Sequence, residues 1–414
     1  MNSRYKWYIV GMLWAVCFLN YADRQAVFTL FPLLRVEFHL SDMQLAWLGS
    51  SFMWMYAVSG PFAGWLGDWL SRRGLILGGL FIWICITTMT IVSRDYWQLV
   101  TLRALSGIAE AVYFPAAMSL ISSYHGPETR SRAMSVSQSA VYMGTVGGGV
   151  MASLVGEHFG WRSNFIFFDI LGLSTFFFLL AFFKEPQRTA PAERRSAPAK
   201  PLARTSLYGA LSEVLASPLA LRLIAAFIGA NFVAMIFMTW LPSFLFRKFH
   251  MSLAMAGVSA TVYLQAASVA GVLCGGALAD TLARRDKGGR MLTQACGLLA
   301  GVPFLFITGW TLSVTILVAG MIGFGFCKGI YDANIWASLH DVVRPESRAT
   351  AVGAMNSLGW LGGGVAPLAI AAGSQRFGMG ACLSATSVVY MLSAGILLWN
   401  ARMVRRATHA QEAL

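Results

Sequence analysis

Two adjacent full charges, Asp23 and Arg24, sit in Asn20-Tyr21-Ala22-Asp23-Arg24-Gln25, inside an apolar run over residues 7–31. A helix starting at Trp7 and rising about 1.5 Å per residue reaches them roughly 24 Å in, within a stretch long enough to cross hydrocarbon. Charges at such depth are costly and characteristically line an ion or substrate path; the alternative is an ion pair that only fixes helix packing. Adjacent helical residues point about 100° apart, so Asp23 and Arg24 are expected to find partners other than each other. A second set, Arg103 and Glu110, is spaced by seven residues, near one helix face and about two turns apart. A third comprises Lys328, Tyr331, Asp332 and Asn334. Lys328 and Asp332 are four apart and able to pair along one face, either to neutralise each other or to leave the lysine as an anion ligand. Together these charges make a cavity electropositive when its carboxyls are protonated and near neutral when they ionise, which is the arithmetic of proton-coupled anion binding.

The elements that must position them are membrane helices. With 57% hydrophobic and 12% charged residues over 414 positions, the chain is too apolar for a soluble domain of this size. Apolar runs with short polar punctuation predict twelve transmembrane helices, near 7–33, 42–66, 75–93, 97–124, 132–156, 162–183, 218–246, 252–279, 290–310, 313–339, 348–373 and 380–401. The first run is too long for a cleavable signal and carries the charged pair. The formal charge of +13 reflects topology: with a cytoplasmic N-terminus, 22 of the 31 Lys/Arg fall on that side, six on the other, and Arg24, Arg103 and Lys328 within spans. That is the positive-inside bias, with both termini cytoplasmic; no nucleic-acid partner is implied. Cys17, Cys85, Cys274, Cys296, Cys327 and Cys382 lie in spans at no metal-ligand spacing and read as buried apolar residues. No metal, cofactor or enzymatic constellation is visible.

The chain divides into an N-terminal six-helix bundle (1–183), a cytoplasmic linker (184–217) and a C-terminal six-helix bundle (218–414). The linker is rich in Ala, Pro and Arg over 189–204 and is expected to be mobile, with a short surface helix near 207–215. Two internal echoes support the halves. Gly64, Asp68, Arg72 and Arg73 recur at an offset of 212 as Gly276, Asp280, Arg284 and Arg285. At an offset of 218, Gly107, Glu110 and Tyr113 map onto Gly325, Lys328 and Tyr331. Asp169, in the sixth span, reads as a structural acid. Trp240-Leu241-Pro242 reads as a Pro-broken helix end able to flex as a gate.

The paired loop resembles the signature loop of the major facilitator superfamily, recurring between helices 2 and 3 and helices 8 and 9. The resemblance implies an all-α integral membrane protein with two six-helix halves related by a pseudo-twofold axis along the membrane normal, and a substrate site between them. It also implies a loop that latches the cytoplasmic side. More closely, Tyr21-Ala22-Asp23-Arg24, Tyr56, Arg103 with Glu110-Ala111 and Phe114-Pro115, and Asn356 in Gly353-Ala354-Met355-Asn356 resemble the anion:cation symporter branch. That branch includes proton symporters for galactonate, glucarate and hexuronates, and the sialin and vesicular glutamate carriers. By this resemblance Asp23 and Glu110 carry coupling protons, Arg24 holds a carboxylate, and Tyr56 and Asn356 contact substrate hydroxyls. Gln138 and Tyr142 on span 5 are candidate cavity residues, each equally readable as an interhelical hydrogen bond. Val141 stands where galactonate-type members carry glutamine. The implied protein is a monomer in the plasma (inner) membrane that takes a small organic anion with protons. The alternatives are a spinster-type lysolipid or sphingolipid carrier, which shares the Asn-Tyr-x-Asp-Arg helix, and a non-transporting membrane sensor.

Overall fold

The computed structural model describes residues 4–125, 127–184, 214, 216–344 and 348–412. The expected linker and its surface helix at 207–215 lie almost wholly outside the described residues, as do the surroundings of Gly64 and the side chain of Asp68. The described residues form fifteen α-helices and no strand. The first half comprises α1 Tyr5–Thr29, α2 Phe31–Phe38, α3 Asp42–Trp69, α4 Arg72–Ile91, α5 Tyr96–Ala111, α6 Tyr113–Tyr124, α7 Pro127–Phe159 and α8 Trp161–Phe182. The second comprises α9 Pro218–Lys248, α10 Leu253–Ala283, α11 Gly289–Trp310, α12 Val314–Asp332, α13 Ile335–Val342, α14 Arg348–Phe377 and α15 Met379–Glu412.

Among the described residues nine segments are long and apolar enough to cross a membrane, with α5–α6 and α12–α13 each counted as one. The three other long helices are α1, α3 and α14, of 25, 28 and 30 residues. These line the junction between the halves, where α1 carries Asn20, Asp23, Arg24 and Gln25 among its buried residues. With these three long helices the architecture is consistent with the twelve crossings expected from the apolar runs.

Helix ends follow local chemistry. Ser41 caps α3 in a reciprocal capping box with Gln44, and Ser71, Asp95, Ser217 and Ser252 accept the first free N–H groups of α4, α5, α9 and α10. Packing repeats between the halves. In the first, α1 lies on α7, α3 on α5 and α4 on α8; in the second, α9 lies on α14, α10 on α12 and α11 on α15. The halves meet along α3 with α14 and α7 with α10.

Glycine permits the close approaches. A Cβ on Gly107 would lie 2.4 Å from the Phe52 carbonyl on α3, and one on its counterpart Gly325 would lie 2.4 Å from the Leu264 carbonyl on α10. The 218-residue echo is therefore a repeated helix contact.

The structure corrects three expectations. The fourth and tenth spans are each interrupted, at Val112 between α5 and α6 and at Ala333–Asn334 between α12 and α13. Pro115 accounts for the first break, since proline cannot donate to the preceding turn; the second contains no proline. By contrast, α9 runs unbroken through Pro242. Pro242 leaves the Met238 carbonyl, four residues earlier, without its helical donor, and Gln25 Nε2 donates to that oxygen at 3.3 Å from across the interface. Finally, Cys17 and Cys327 are buried and Cys382 half-buried, but Cys85, Cys274 and Cys296 are exposed; a free thiol behaves as a small hydrophobe and does not need a packed core.

At the end of the bundle away from the termini, the halves are closed. Phe31 packs edge-on against Trp240, Arg247 Nη1 donates to Asp42 Oδ2 at 3.3 Å, and the Ala254 N–H donates to Glu157. Asp42 also pairs with Arg35, and Glu37 on α2 pairs with Arg162.

Replacing Gly107 with valine should destabilise the protein by about 1–3 kcal/mol through overpacking. Gly78→Ala, where a Cβ meets nothing within 4 Å, should leave stability nearly unchanged. Thermal unfolding in detergent compares the two; equal melting temperatures would contradict the contact.

Candidate functional site

The four deep charges of the first half form two crossed ion pairs. Arg24 Nε donates to Glu110 Oε2 at 2.7 Å, and Arg103 Nη1 donates to Asp23 Oδ2 at 2.8 Å. Neighbours on α1 thus reach two residues seven apart on α5, as the 100° divergence requires. All four residues are 2–5% exposed. Gly148 sets α1 in place: a Cβ there would fall 2.1 Å from the carbonyl of Ala22, so α7 presses directly behind the charged pair.

The Arg24 guanidinium is enclosed by aromatic rings, with centroids of Tyr21, Phe52, Tyr56 and Trp360 at 4.6, 4.9, 4.6 and 5.3 Å. Cation–π attraction stabilises a desolvated guanidinium by about 2 kcal/mol or more. Three of these rings belong to the first half and Trp360 comes from α14 of the second. Arg24 therefore lies at the junction of the halves. The Tyr56 ring packs at a tilt against Trp360, with centroids 5.0 Å apart, while Trp54 Nε1 donates to the Leu361 carbonyl. Arg103 shares the Phe52 ring at 4.7 Å.

Hydrogen-bonding capacity is left over. Arg24 Nη1, Arg103 Nε and Nη2, and Glu110 Oε1 are buried without a protein partner. Such groups are rare in folded proteins and mark places where water, a proton or a ligand group completes the network. An enclosed cavity of about 10 Å³, roughly one water molecule in size, lies beside Glu110, Asn20, Trp83 and Tyr113. Tyr113 donates to the Leu13 carbonyl at 2.5 Å.

The second half contributes a different arrangement. Lys328 and Asp332 form the expected pair along α12. Their side chains are 15% and 29% exposed, against 6% or less for the crossed pairs. Tyr142 on α7 is within electrostatic reach of both. Gln138 is exposed and Asn356 half-buried. Tyr331 is buried, with its hydroxyl unpartnered. Asn334 requires correction as a substrate contact: it is buried and its Nδ2 donates to the carbonyls of Gly275 and Ile330, which fastens the α12–α13 break to α10.

The described contacts of the loop residues Asp280 and Arg73 each lie within one half. Asp280 pairs at 3.8 Å with Arg290, which also binds Asp341 bidentately at 2.8 and 2.9 Å, all within the second half. Arg284 and Arg285 are exposed. Arg73 donates to the Leu180 carbonyl, tying α4 to the end of α8, and Arg72 is half-buried. Asp169 accepts from Thr88 at 2.7 Å, between α8 and α4, as expected of a packing acid. Sequence reasoning missed Gln25 and Trp360; the position of Gln25 beside Arg24 was a usable signal, whereas nothing local marks Trp360.

A family model of the Major Facilitator Superfamily matches residues 13–367. The chain belongs to the major facilitator superfamily. It is a multi-pass membrane transporter and not an enzyme. A probable galactarate/D-glucarate transporter of Escherichia coli K12 is 27% identical over 401 residues, covering 89% of this chain and 86% of the relative. Human protein spinster homolog 1 is 28% identical over 362 residues, covering 83% and 68%. Among solved structures, a bacterial homolog of the human lysosomal transporter Spinster, inward-facing and unoccupied, superimposes with a TM-score of 0.86 at 21% identity, covering 97% and 98%.

In this transporter, Arg103→Ala should cost ~3–5 kcal/mol by leaving Asp23 buried without its cation. Adding Asp23→Asn should recover part of that loss. Unfolding of the singles and the double closes a mutant cycle; simple additivity would mean that the two residues are not coupled.

Proposed function

We propose that this chain is a proton-coupled secondary transporter of a small organic anion, working by alternating access between its halves. The carrying observation is Arg24, a buried guanidinium at the junction with one nitrogen unpartnered and its counter-charge supplied by Glu110. Protonation of Glu110 would release Arg24 to take a substrate carboxylate; loss of the proton would restore the ion pair and help expel the substrate. Asp23, held by Arg103, is the second proton-carrying acid, and Arg103 positions it. Tyr56, Gln138, Tyr142 and Asn356 supply hydroxyl and amide contacts, with Lys328 and Asp332 on the opposing wall. The reading is supported by the resemblance of these residues to the anion:cation symporters and by the relative named for galactarate and D-glucarate. We further propose a monomer in the plasma (inner) membrane with both termini cytoplasmic, on the strength of the Lys/Arg distribution.

A lysolipid substrate is the second reading, supported by the spinster relatives. Purified protein separates the two when screened by thermal shift against sugar acids, simple carboxylates and lysolipids at two pH values, since a ligand stabilises in proportion to its occupancy. Arg24→Ala should abolish stabilisation by carboxylates; a lysolipid that stabilises this variant as well as the parent would favour the lipid reading. In proteoliposomes, Glu110→Gln should abolish uptake driven by a pH gradient while sparing substrate exchange. Undiminished gradient-driven uptake would remove Glu110 from the coupling.

A further inference from the structure

The two clusters of deep charges differ in a way that bears on the substrate. The first, Asp23, Arg24, Arg103 and Glu110, is sealed, balanced, and freed by protonation of a carboxylate. The second, Lys328 and Asp332, is equally balanced but remains partly open, with Asp332 at 29% side-chain exposure. Tyr142, on α7 of the other half, lies within electrostatic range of both charges, and α12 packs on α10, the helix that meets α7 at the junction. The buried Tyr331 and Tyr390 lie within electrostatic range of Asp332, and a phenol is uncharged at neutral pH.

We propose that Lys328, Asp332 and Tyr142 form a net-neutral second subsite that receives a hydroxylated, uncharged end of the substrate, so that the transported anion is a monocarboxylate rather than a dicarboxylate. This inference rests on the proposed binding of a carboxylate at Arg24. An ammonium offers three donors and no acceptor, a carboxylate offers only acceptors, and a phenol offers both. Hydroxyl groups, which donate and accept at once, match that set without breaking the ion pair. A second carboxylate matches it poorly. To bind Lys328 it must displace Asp332 and leave two carboxylates sharing one ammonium, and like charges brought that close disfavour the bound state. A site that hydrogen-bonds hydroxyls also discriminates by leaving its own polar groups unpaired when the wrong ligand enters. The selectivity thus differs from that in the printed name of the E. coli relative, whose two sugar acids are both dicarboxylates.

The test measures binding to the purified full chain at one pH and constant ionic strength, using matched pairs: D-gluconate with D-glucarate, and lactate with malate. The expected result for the parent is at least tenfold tighter binding of the monocarboxylate in each pair. Asp332→Asn removes the competing carboxylate with little change in shape. It should free Lys328 and raise the dicarboxylate-to-monocarboxylate affinity ratio at least tenfold, whereas Lys328→Met in the same background should reverse the gain. Equal or tighter binding of dicarboxylates to the parent, or an unchanged ratio in Asp332→Asn, would overturn the subsite while leaving carboxylate binding at Arg24 standing. Binding of neither acid class, with lysolipid still bound, would overturn both.

Discussion

Two crossed ion pairs between α1 and α5 govern what the rest of this structure must do. Four full charges are buried where water is scarce, and each is tolerable only because a guanidinium and a carboxylate meet at hydrogen-bonding distance. That requirement fixes the rotation of both helices, because neighbours on α1 must reach residues two turns apart on α5. It also fixes how closely helices approach. Gly107 brings α5 against α3, which carries Phe52 and Tyr56, and Gly148 brings α7 against the backbone just before Asp23. The rings of Phe52 and Tyr56 then serve as the aromatic wall of Arg24. Glycine, aromatic and charged positions that look unrelated along the chain are therefore parts of one solution to burying charge.

The halves share a helical plan but differ in how they handle ionisable groups. The first half closes its charges between two helices and seals them; the second pairs its lysine and aspartate along one helix and leaves them half-open. Both α5 and α12 end just beyond these residues, at Val112 and Ala333. Interrupted helices are compatible with membrane depth where the freed backbone groups find protein or water, and Asn334 shows one way, bridging the break to α10. The same physics keeps α9 continuous through Pro242, since Gln25 occupies the carbonyl that the proline releases. Because Gln25 adjoins Arg24, the residue that joins the halves and the residue that faces the junction move together on α1.

Much of the site was legible in the chain itself because burial of charge in an apolar run is a strong signal. Asp23, Arg24, Arg103 and Glu110 stand out by type alone, and the spacing of Lys328 and Asp332 announces their pairing. The repeat of Gly107 in Gly325 was equally readable, since a helix contact that needs a missing side chain leaves the same mark in both halves. Asn334 was misassigned: a polar residue near two charges looks like a ligand, and only the backbone break explains why its amide is committed elsewhere. Pro242 was misjudged because a compensating donor more than two hundred residues away has no local signature.

The sequence by itself determined that this is a helical membrane protein of two similar halves with ionisable groups deep in its apolar spans, because hydropathy, period and repeat are properties of local composition. Only the tertiary structure decided who pairs with whom. Asp23 binds Arg103 rather than Arg24, Arg24 lies beneath Trp360 of the opposite half, and Asp280 finds Arg290 rather than the double arginine of its own loop. Pairing depends on helix rotation and depth, and these are set by packing summed over many distant contacts, which no short window of residues contains.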